Sequence, residues 1–389
     1  MRINLVIPSF YPATVYGGPI FSSLHTSQEL AKLDNTEVFV STTNANKGKK
    51  LNVLTNQWIK FEDNLYVKYY KETLVDKFSI ELYMKLWKDI KMSDIVHLQA
   101  IFSSPIPIAV IISIILKKPI LLSPRGALCE WCIGQGNNFK IYWLKLFIQP
   151  FIKRISWHAT CEAEKKDILK IFSNSDVSII PNGVDIDEYS KFNLMDKQVY
   201  LKKYTNLSMD KSHIVISMSR LHIKKGFDIL ILSFIDVLQK YPDAVLIIAG
   251  PDEGEKDHLL EMIKELNVED KVFIINPISG QDKIDFLANA DVFALASHNE
   301  NFGNVYIESL AAGTPIVASK GTPWEEVEKF NCGKWVENNV DETAKAIISL
   351  FNEDRENLRN NAYAFSKKYN WNNIAFKFKD LFNTILNQK

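Results

Sequence analysis

Short apolar runs alternate with amphipathic stretches over most of this chain. The runs of the first half are rich in Ile, Leu and Val, as is typical of parallel strands that are buried on both faces. The stretches at 20–33 and 105–116 are predicted helices. Strands are predicted at Ile3–Pro8, Glu37–Thr42, Asp94–Leu98, Pro119–Ser123 and Val177–Pro181.

The alternation restarts after a polar, helix-prone stretch near 190–212. The second series again pairs short apolar strands with helices of ten or more residues, the arrangement of βα units. Its predicted helices are Phe227–Tyr241, Glu255–Leu266, Gln281–Ala288 and 304–312. Its predicted strands are His213–Ser219, Ala244–Gly250, Lys271–Ile275, Val292–Ala296 and Pro315–Ser319.

Two βα series with a break between them predict an α/β protein with two Rossmann-like, doubly wound domains. We place the first domain at 1–188, the second at 189–370 and a C-terminal helix at 371–389. Ligands of such sheets bind beyond the carboxyl ends of the strands. We therefore expect the two domains to face each other across a ligand-binding cleft.

The amino-acid composition of the chain argues against several classes of function. The 389 residues carry 46 basic and 46 acidic side chains, and this balance argues against a nucleic-acid partner. Pro8 interrupts the first apolar run, so the start does not resemble a secretory signal, and the run 105–116 is shorter than the ~20 residues that cross a bilayer. Four cysteines in a chain of this length predict the reducing cytoplasm rather than a disulfide framework.

The segment Ser297–Ser319 is the densest in candidate chemistry. Glu300 lies in a polar loop after a strand, and Glu308 lies about one turn into the helix that follows Gly303. The start of a helix favours a phosphate, while a carboxylate can accept two hydrogen bonds from a sugar diol. Together they predict a nucleotide-sugar site. The alternative is that Glu300 is a solvated loop residue and Glu308 an exposed one.

Several motifs resemble the retaining GT-B glycosyltransferases of the GT4 type, also called group 1. The E-x7-E pattern is followed by Ala-x-Gly-Thr-Pro-Ile-Val-Ala, and the match is strongest from 180 to 330. Further matching segments, in the order of the family, are Tyr16-Gly17-Gly18-Pro19, Ile180-Pro181-Asn182-Gly183-Val184-Asp185, Ser219-Arg220-Leu221 with Lys225-Gly226, and Leu246–Gly250. The resemblance implies a GT-B fold whose C-terminal helix packs back on the first domain.

The resemblance also implies roles for matched residues. Arg220 and Lys225 would neutralise the diphosphate of the donor as it leaves, and Glu308 would hold the ribose. Glu300 would contact the donor sugar near the reacting carbon. Without the other motifs, Arg220 and Lys225 would read as a solvated basic loop.

Backbone positions complete the predicted donor site. Gly303, Asn304 and Val305 form the helix start that would meet the phosphates. Gly17 and Gly18 would let the backbone of the first domain approach them, although adjacent glycines most often form a simple turn.

One departure from the family concerns Arg125. Many relatives carry a histidine after the strand at 119–123, whereas here the sequence reads Ser123-Pro124-Arg125-Gly126. This motif resembles a subgroup associated with bacterial surface polysaccharides such as O-antigen or capsule. Arg125 could pair with a phosphate or an acidic acceptor group, but it cannot act as a base at neutral pH. A structural salt bridge is the alternative.

The resemblance implies metal-independent transfer of a hexosyl or N-acetylhexosaminyl group from a UDP- or GDP-sugar to a lipid-linked or oligosaccharide acceptor. With no obvious nucleophile in the sequence, we expect front-face attack assisted by the leaving diphosphate. Two rivals stay open: a nucleotide-sugar epimerase of the same fold, and a non-catalytic sugar-binding partner in polysaccharide assembly. A phosphorylase lacks support because no pyridoxal lysine motif stands out.

Two further patterns carry hypotheses of their own. Basic and aromatic residues interleave over Asn138–Trp157, which predicts an interfacial helix on the inner face of the cytoplasmic membrane or, alternatively, a helix with a buried aromatic stripe. The Cys-x-x-Cys at Cys129 and Cys132, with His158 and Cys161, could bind zinc, but the spacing is not that of a standard finger.

Overall fold

Two compact units divide the chain. The computed structural model describes residues 1–134, 139–205, 207 and 213–388. Unit 1 comprises Met1–Gly183 together with Trp371–Lys389, and unit 2 comprises Val184–Asn370. The division falls before the predicted 188/189 boundary because Ile186 and Tyr189 are buried in the core of unit 2. Residues 206 and 208–212 of the polar stretch, and Asn138 of the predicted interfacial helix, lie outside the described residues.

Strands and helices alternate over much of unit 1, but five short strands follow one another after α1, and two helices follow β8. Two 3₁₀ turns, Thr14–Tyr16 and Gln149–Arg154, are also present. In chain order the elements are β1 (Arg2–Ser9), α1 (Gly18–Lys32), β2 (Glu37–Thr43), β3 (Ala45–Asn46), β4 (Lys49–Lys50), β5 (Ile59–Glu62), β6 (Leu65–Tyr70), α2 (Ile80–Lys91), β7 (Ile95–Gln99), α3 (Pro105–Ile115), β8 (Ile120–Ser123), α4 (Glu130–Gly134), α5 (Phe139–Phe147), β9 (Ile155–Ala159), α6 (Glu162–Ile171) and β10 (Val177–Ile179).

In the described part of unit 1, eight strands form one sheet in the order β10-β9-β8-β7-β1-β2-β6-β5. Neighbouring strands are parallel except for the antiparallel pair β5 and β6. Every residue of β7 and β8 is buried, as expected for strands with helices on both faces. The carboxyl ends of β1 and β8 lead into the loops with Gly17 and Arg125.

Unit 2 repeats this architecture with a smaller sheet. Its described strands lie in the order β13-β12-β11-β14-β15-β16, all parallel, with one apolar core around them. The elements are α7 (Ile186–Tyr189), α8 (Lys197–Thr205), β11 (Ile214–Met218), α9 (Phe227–Lys240), β12 (Val245–Ala249), α10 (Lys256–Glu265), β13 (Val272–Ile275), α11 (Gly280–Ala288), β14 (Val292–Leu295), α12 (Asn304–Ala311), β15 (Ile316–Ser319), α13 (Glu326–Lys329), β16 (Gly333–Val336), α14 (Val340–Phe351) and α15 (Arg355–Ser366), with 3₁₀ turns at Ile223–Lys225 and Lys367–Tyr369.

The last helix, α16 (Trp371–Asn387), completes the core of unit 1. Its buried face includes Ile374, Phe378 and Phe382, which join the cluster formed by residues of β1, β2 and α1. At its start, Trp371 packs so closely on Gly183 that a Cβ there would lie 2.5 Å from the indole ring. Glycine is therefore required at position 183 because of this contact.

The structure confirms the predicted strands and helices of both series, with shifts of one or two residues at their ends. Strands β3, β4, β5, β6, β9 and β16 are additional. The interpretation of Asn138–Trp157 as one interfacial helix is wrong, because α5 ends at Phe147 and a 3₁₀ turn leads into strand β9. Trp157 on that strand is fully buried and stacks on Phe172.

Within the described residues, none of the helices combines the length and the apolar character that a membrane span requires.

Candidate functional site

Arg220 lies in the loop that follows β11, next to the loop that follows β12. The Leu221 amide donates to the carbonyl oxygen of Pro251 at 2.8 Å, which joins the two loops. A Cβ on Gly250 would overlap the carbonyl oxygen of Ser219, so only glycine allows this approach. The guanidinium of Arg220 forms an ion pair with Glu253 at 2.5 Å. The sequence did not point to Glu253, although its position just past a strand end was a usable signal.

Lys225 lies at the end of a 3₁₀ turn and forms an ion pair with Glu300. Only 10% and 14% of the two side chains are exposed, so the pair is largely shielded from water. Gly226 follows with φ 62°, and a Cβ there would overlap the carbonyl oxygen of Ala296 at the end of β14. The His298 amide donates to the Lys224 carbonyl at 2.9 Å and fixes the two loops together.

The loop that carries Glu300 is also held from the β15 side. The Glu300 amide donates to the carbonyl of Gly321 at 3.0 Å, and Ser297 Oγ lies 3.3 Å from Glu300 Oε1. A Cβ on Gly321 would overlap the carbonyl oxygen of His298. Loops from three parallel strands thus determine the position of the Glu300 carboxylate.

Helix α12 begins directly after this loop, at Asn304. Gly303 caps it with φ 77°, and a Cβ on Gly303 would lie 2.7 Å from the ring of Tyr306. The Tyr306 hydroxyl donates to the carbonyl of Leu295 at 2.9 Å, and burial raises the pKa of this tyrosine, so the donor stays protonated. Val305 packs against the core. The helix start is therefore rigidly placed beside the loop with Glu300.

Glu308 is held by two side chains that the sequence did not single out. Lys283 on α11 forms an ion pair with it at 2.7 Å, and the Tyr189 hydroxyl donates a hydrogen bond to it. Burial, followed by the charge of Glu308, raises the pKa of Tyr189 well above its ordinary value. No local pattern reveals these partners, because they lie more than twenty residues from Glu308 along the chain.

These contacts decide which predicted residues of unit 2 meet. Lys225 and Glu300 form a pair, whereas Arg220 and Glu308 have Glu253 and Lys283 as partners. Each of the three cations is thus neutralised by one carboxylate. An incoming diphosphate can take the place of Glu253 and Glu300, because phosphate oxygens accept the same charge-assisted hydrogen bonds.

In unit 1, Gly17 and Gly18 lie where β1 leads into α1. Gly17 is the N-cap of α1 with φ 77°, a conformation that favours glycine, and Gly18 is the first helical residue. The space around a Cβ on Gly17 is open to 4 Å, so the backbone there can be approached closely. The preceding Tyr16 donates a hydrogen bond to Asp76 at 2.5 Å and fixes the turn.

Arg125 lies in the loop after β8 with φ 58°, an unusual conformation for a side chain of its size. Its Nη1 atom donates to Asn182 Oδ1 at 2.9 Å. Burial lowers the pKa of Arg125 to about 10, so the side chain stays cationic at neutral pH.

Two buried histidines beside Arg125 form a hydrogen-bonded chain. His158 Nε2 lies 2.8 Å from the carbonyl of Ile180, so it carries the proton, and its Nδ1 accepts from Ser123 at 2.8 Å. Ser123 then accepts from His97 Nε2 at 2.8 Å. Burial and the charge of Arg125 lower the pKa of His158 to about 3. Both nitrogens of His158 are engaged, and this disfavours the zinc hypothesis.

No group of three or more His, Cys, Asp or Glu side chains could hold a metal ion within the described residues, which are 1–134, 139–205, 207 and 213–388.

Comparison with known proteins shows which family part of the chain matches. Residues 202–366 match the family "Glycosyl transferases group 1". The chain is 29% identical over 218 residues to an uncharacterized glycosyltransferase of Methanocaldococcus jannaschii, covering 54% of this chain and 55% of that protein. It is 26% identical over 237 residues to the alpha-monoglucosyldiacylglycerol synthase of Streptococcus pneumoniae, covering 59% and 52%. The matches thus span about half the length of these relatives.

The fold is similar to that of HepE from Anabaena, solved in complex with UDP and glucose. The TM-score is 0.72 at 19% identity, and the alignment covers 98% of this chain and 99% of HepE. The chain therefore has the GT-B fold, and residues 202–366, within its second unit, match the group 1 glycosyltransferase family.

Proposed function

We propose that this protein transfers a sugar from a UDP- or GDP-sugar to a growing glycan, with retention of configuration at the anomeric carbon. The observation that carries the proposal is the shielded pair of Lys225 and Glu300 beside the start of α12. A cation, a carboxylate and a helix start in one place suit the diphosphate and the sugar of one donor. The complex of HepE with UDP and glucose supports this class of donor.

Donor binding would exchange partners within the site. Arg220 and Lys225 leave Glu253 and Glu300 and turn to the diphosphate, so no cation becomes unpaired. The start of α12, at Gly303, Asn304 and Val305, meets the same phosphates. Glu300 is then available to the hydroxyl groups of the donor sugar.

Glu308 would hold the ribose by accepting hydrogen bonds from its two hydroxyl groups. The carboxylate has further lone pairs for Lys283 and Tyr189, which keep it oriented while the ribose binds. The same two partners hold Glu308 before binding, so little reorganisation is needed.

The chemical step requires no protein nucleophile. The oxygen of the acceptor hydroxyl forms a bond to the anomeric carbon as the bond from that carbon to the β-phosphate oxygen breaks. The proton of the hydroxyl passes to the leaving phosphate, which departs as the nucleoside diphosphate. Arg220 and Lys225 stabilise the negative charge that develops there, the role that makes the transfer metal-independent.

We propose a lipid-linked acceptor in bacterial surface polysaccharide synthesis, reached at the inner face of the cytoplasmic membrane. Phe139, Tyr142 and Leu146 on α5 are each about two-thirds exposed, and Lys145 lies among them. Apolar side chains beside a lysine suit an anionic lipid surface. The name of the Streptococcus pneumoniae relative, a diacylglycerol glycolipid synthase, supports an acceptor of this kind.

The membrane contact is tested by flotation with vesicles that contain anionic phospholipid. Leu146→Glu should reduce the bound fraction, whereas Leu260→Glu on α10 of unit 2, another exposed leucine, should not. Equal losses for the two variants would contradict the contact through α5.

The transfer itself is tested by calorimetry with UDP, GDP and ADP, followed by turnover with the sugar donors of the nucleotide that binds. Lys225→Ala and Glu308→Ala should abolish turnover, whereas Lys320→Ala, which breaks an exposed ion pair with Glu337, should leave it unchanged. Unchanged turnover in the first two variants would refute the site. An epimerised donor without released diphosphate would indicate the epimerase, and binding without turnover the sugar-binding partner.

A further inference from the structure

One edge of the Arg125 guanidinium lacks a partner. Its Nη1 atom is bonded to Asn182, but Nε and Nη2 are buried and have no hydrogen-bond partner within the described residues. Buried N–H groups of a charged side chain are almost always paired, because leaving one unpaired costs about 1–3 kcal/mol or more. Two unpaired N–H groups on one charged side chain suit a ligand that can accept from both.

The two unpaired atoms, Nε and Nη2, lie on one edge of the guanidinium and can bind a single ligand together. Nε–H and Nη2–H point in the same direction along one side of the planar guanidinium, and such a fork matches two oxygens of a carboxylate or a phosphate. The bond from Nη1 to Asn182 uses a different nitrogen, so neither Nε–H nor Nη2–H is engaged by it. The unusual φ of 58° at Arg125 is consistent with a side chain held in place for binding.

The neighbouring carboxylate of Glu164 does not bond the unpaired edge of Arg125. Both of its oxygens are already engaged. One accepts from the Gly126 amide at 2.6 Å, and the other accepts from the amide and hydroxyl of Thr160 at 2.7 and 2.8 Å. The histidines beside Arg125 are neutral, since burial holds their pKa values low.

We propose that Arg125 anchors an oxyanion site in unit 1, which binds one carboxylate or phosphate group through the paired Nε–H and Nη2–H. The site is separate from the Lys225 and Glu300 pair in unit 2, and it does not require that the protein transfer sugars. Its ligand carries a phosphate group or the carboxylate of a uronic acid, and the titrations below distinguish these two sources of the oxyanion.

The test uses the full chain with Arg220→Gln and Lys225→Met, so that phosphate binding in unit 2 is removed. Inorganic phosphate, UDP and glucuronate are titrated by calorimetry into this protein with and without Arg125→Gln. We expect at least one probe to bind, and Arg125→Gln to weaken it at least tenfold. Arg125→Lys, which keeps the charge but not the fork, should also lose most of the affinity. The probe that depends on Arg125 identifies the source of the oxyanion.

A second measurement uses the wild-type protein, so its result does not depend on whether a variant folds. The Nε–H resonance of Arg125 in protein labelled with ¹⁵N-arginine should shift on addition of the probe that binds, and Arg154, which is exposed, provides the control resonance. An unshifted Arg125 resonance with all three probes, or equal affinities with and without Arg125→Gln, would overturn the proposal.

Discussion

The shielded ion pair of Lys225 and Glu300 should dominate the stability of the donor site. Replacing Lys225 by Met leaves the carboxylate of Glu300 in surroundings where only 14% of its side chain meets water. Breaking a buried pair in this way costs about 3–5 kcal/mol, and the residual exposure places the effect near 3 kcal/mol. For a unit of this size, that loss lowers Tm by about 6–12 °C.

A matched double variant measures the energetic coupling between the two charged side chains. Lys225→Met with Glu300→Gln removes both charges, and the amide can still contact Ser297. We expect the double variant to lose only about 1 kcal/mol, which corresponds to a coupling of about 2 kcal/mol or more between the two positions. Turnover should be lost in both proteins, since the cation that faces the diphosphate is absent.

The assay is thermal unfolding of the wild type, the two single variants and the double variant at low salt, together with donor turnover. Equal destabilisation of Lys225→Met and the double variant would show that the stranded carboxylate carries no penalty. That result would refute the inference that the ion pair is shielded from water, whether or not turnover is lost.

Four further predictions follow from single contacts. Glu253→Gln should tighten UDP binding several-fold in calorimetry, because the amide competes less with the diphosphate for Arg220; weaker binding would contradict this. Gly250→Ala should destabilise unit 2 and abolish UDP binding, since its Cβ overlaps a carbonyl oxygen. Gly183→Ala should lower Tm by forcing the Trp371 ring to move, at a cost of about 1–3 kcal/mol. Stability should also fall as pH drops from 6.5 toward 3, by up to about 1.4 kcal/mol per pH unit from His158, which is protonated only when unfolded; His158→Gln should flatten the pH dependence of Tm.

The sequence was sufficient for most of the fold because buried parallel strands leave a strong pattern. Strands such as β12 and β14 are apolar throughout, and their neighbours in space follow from the βα connections. Strand β5, with the sequence Ile-Lys-Phe-Glu, is partly exposed, and an apolar–polar alternation over only four residues is too short to indicate a strand. The residues of β9 were predicted to be helical for another reason. Its aromatic residue, Trp157, fits the apolar face of an amphipathic helix as well as it fits a strand.

The candidate site was predictable where it is local in sequence. Glu300, Gly303 and Glu308 belong to one strand–loop–helix segment, and its spacing carries the chemistry. The partners Glu253 and Lys283 were not predictable, because tertiary packing alone brings them to Arg220 and Glu308. The unpaired edge of Arg125 depends in the same way on the distant Asn182.

The place of α16 in the core of unit 1 also has a consequence for biosynthesis. In covalent terms unit 2 is an insertion domain, since Val184 and Asn370 at its two ends form a parallel bridge and Trp371 returns the chain to unit 1. A ribosome therefore completes all of unit 2 before it makes Phe378 and Phe382, which the core of unit 1 needs. The inserted domain can fold first, and the N-terminal half of the host domain waits unfinished until the final helix emerges.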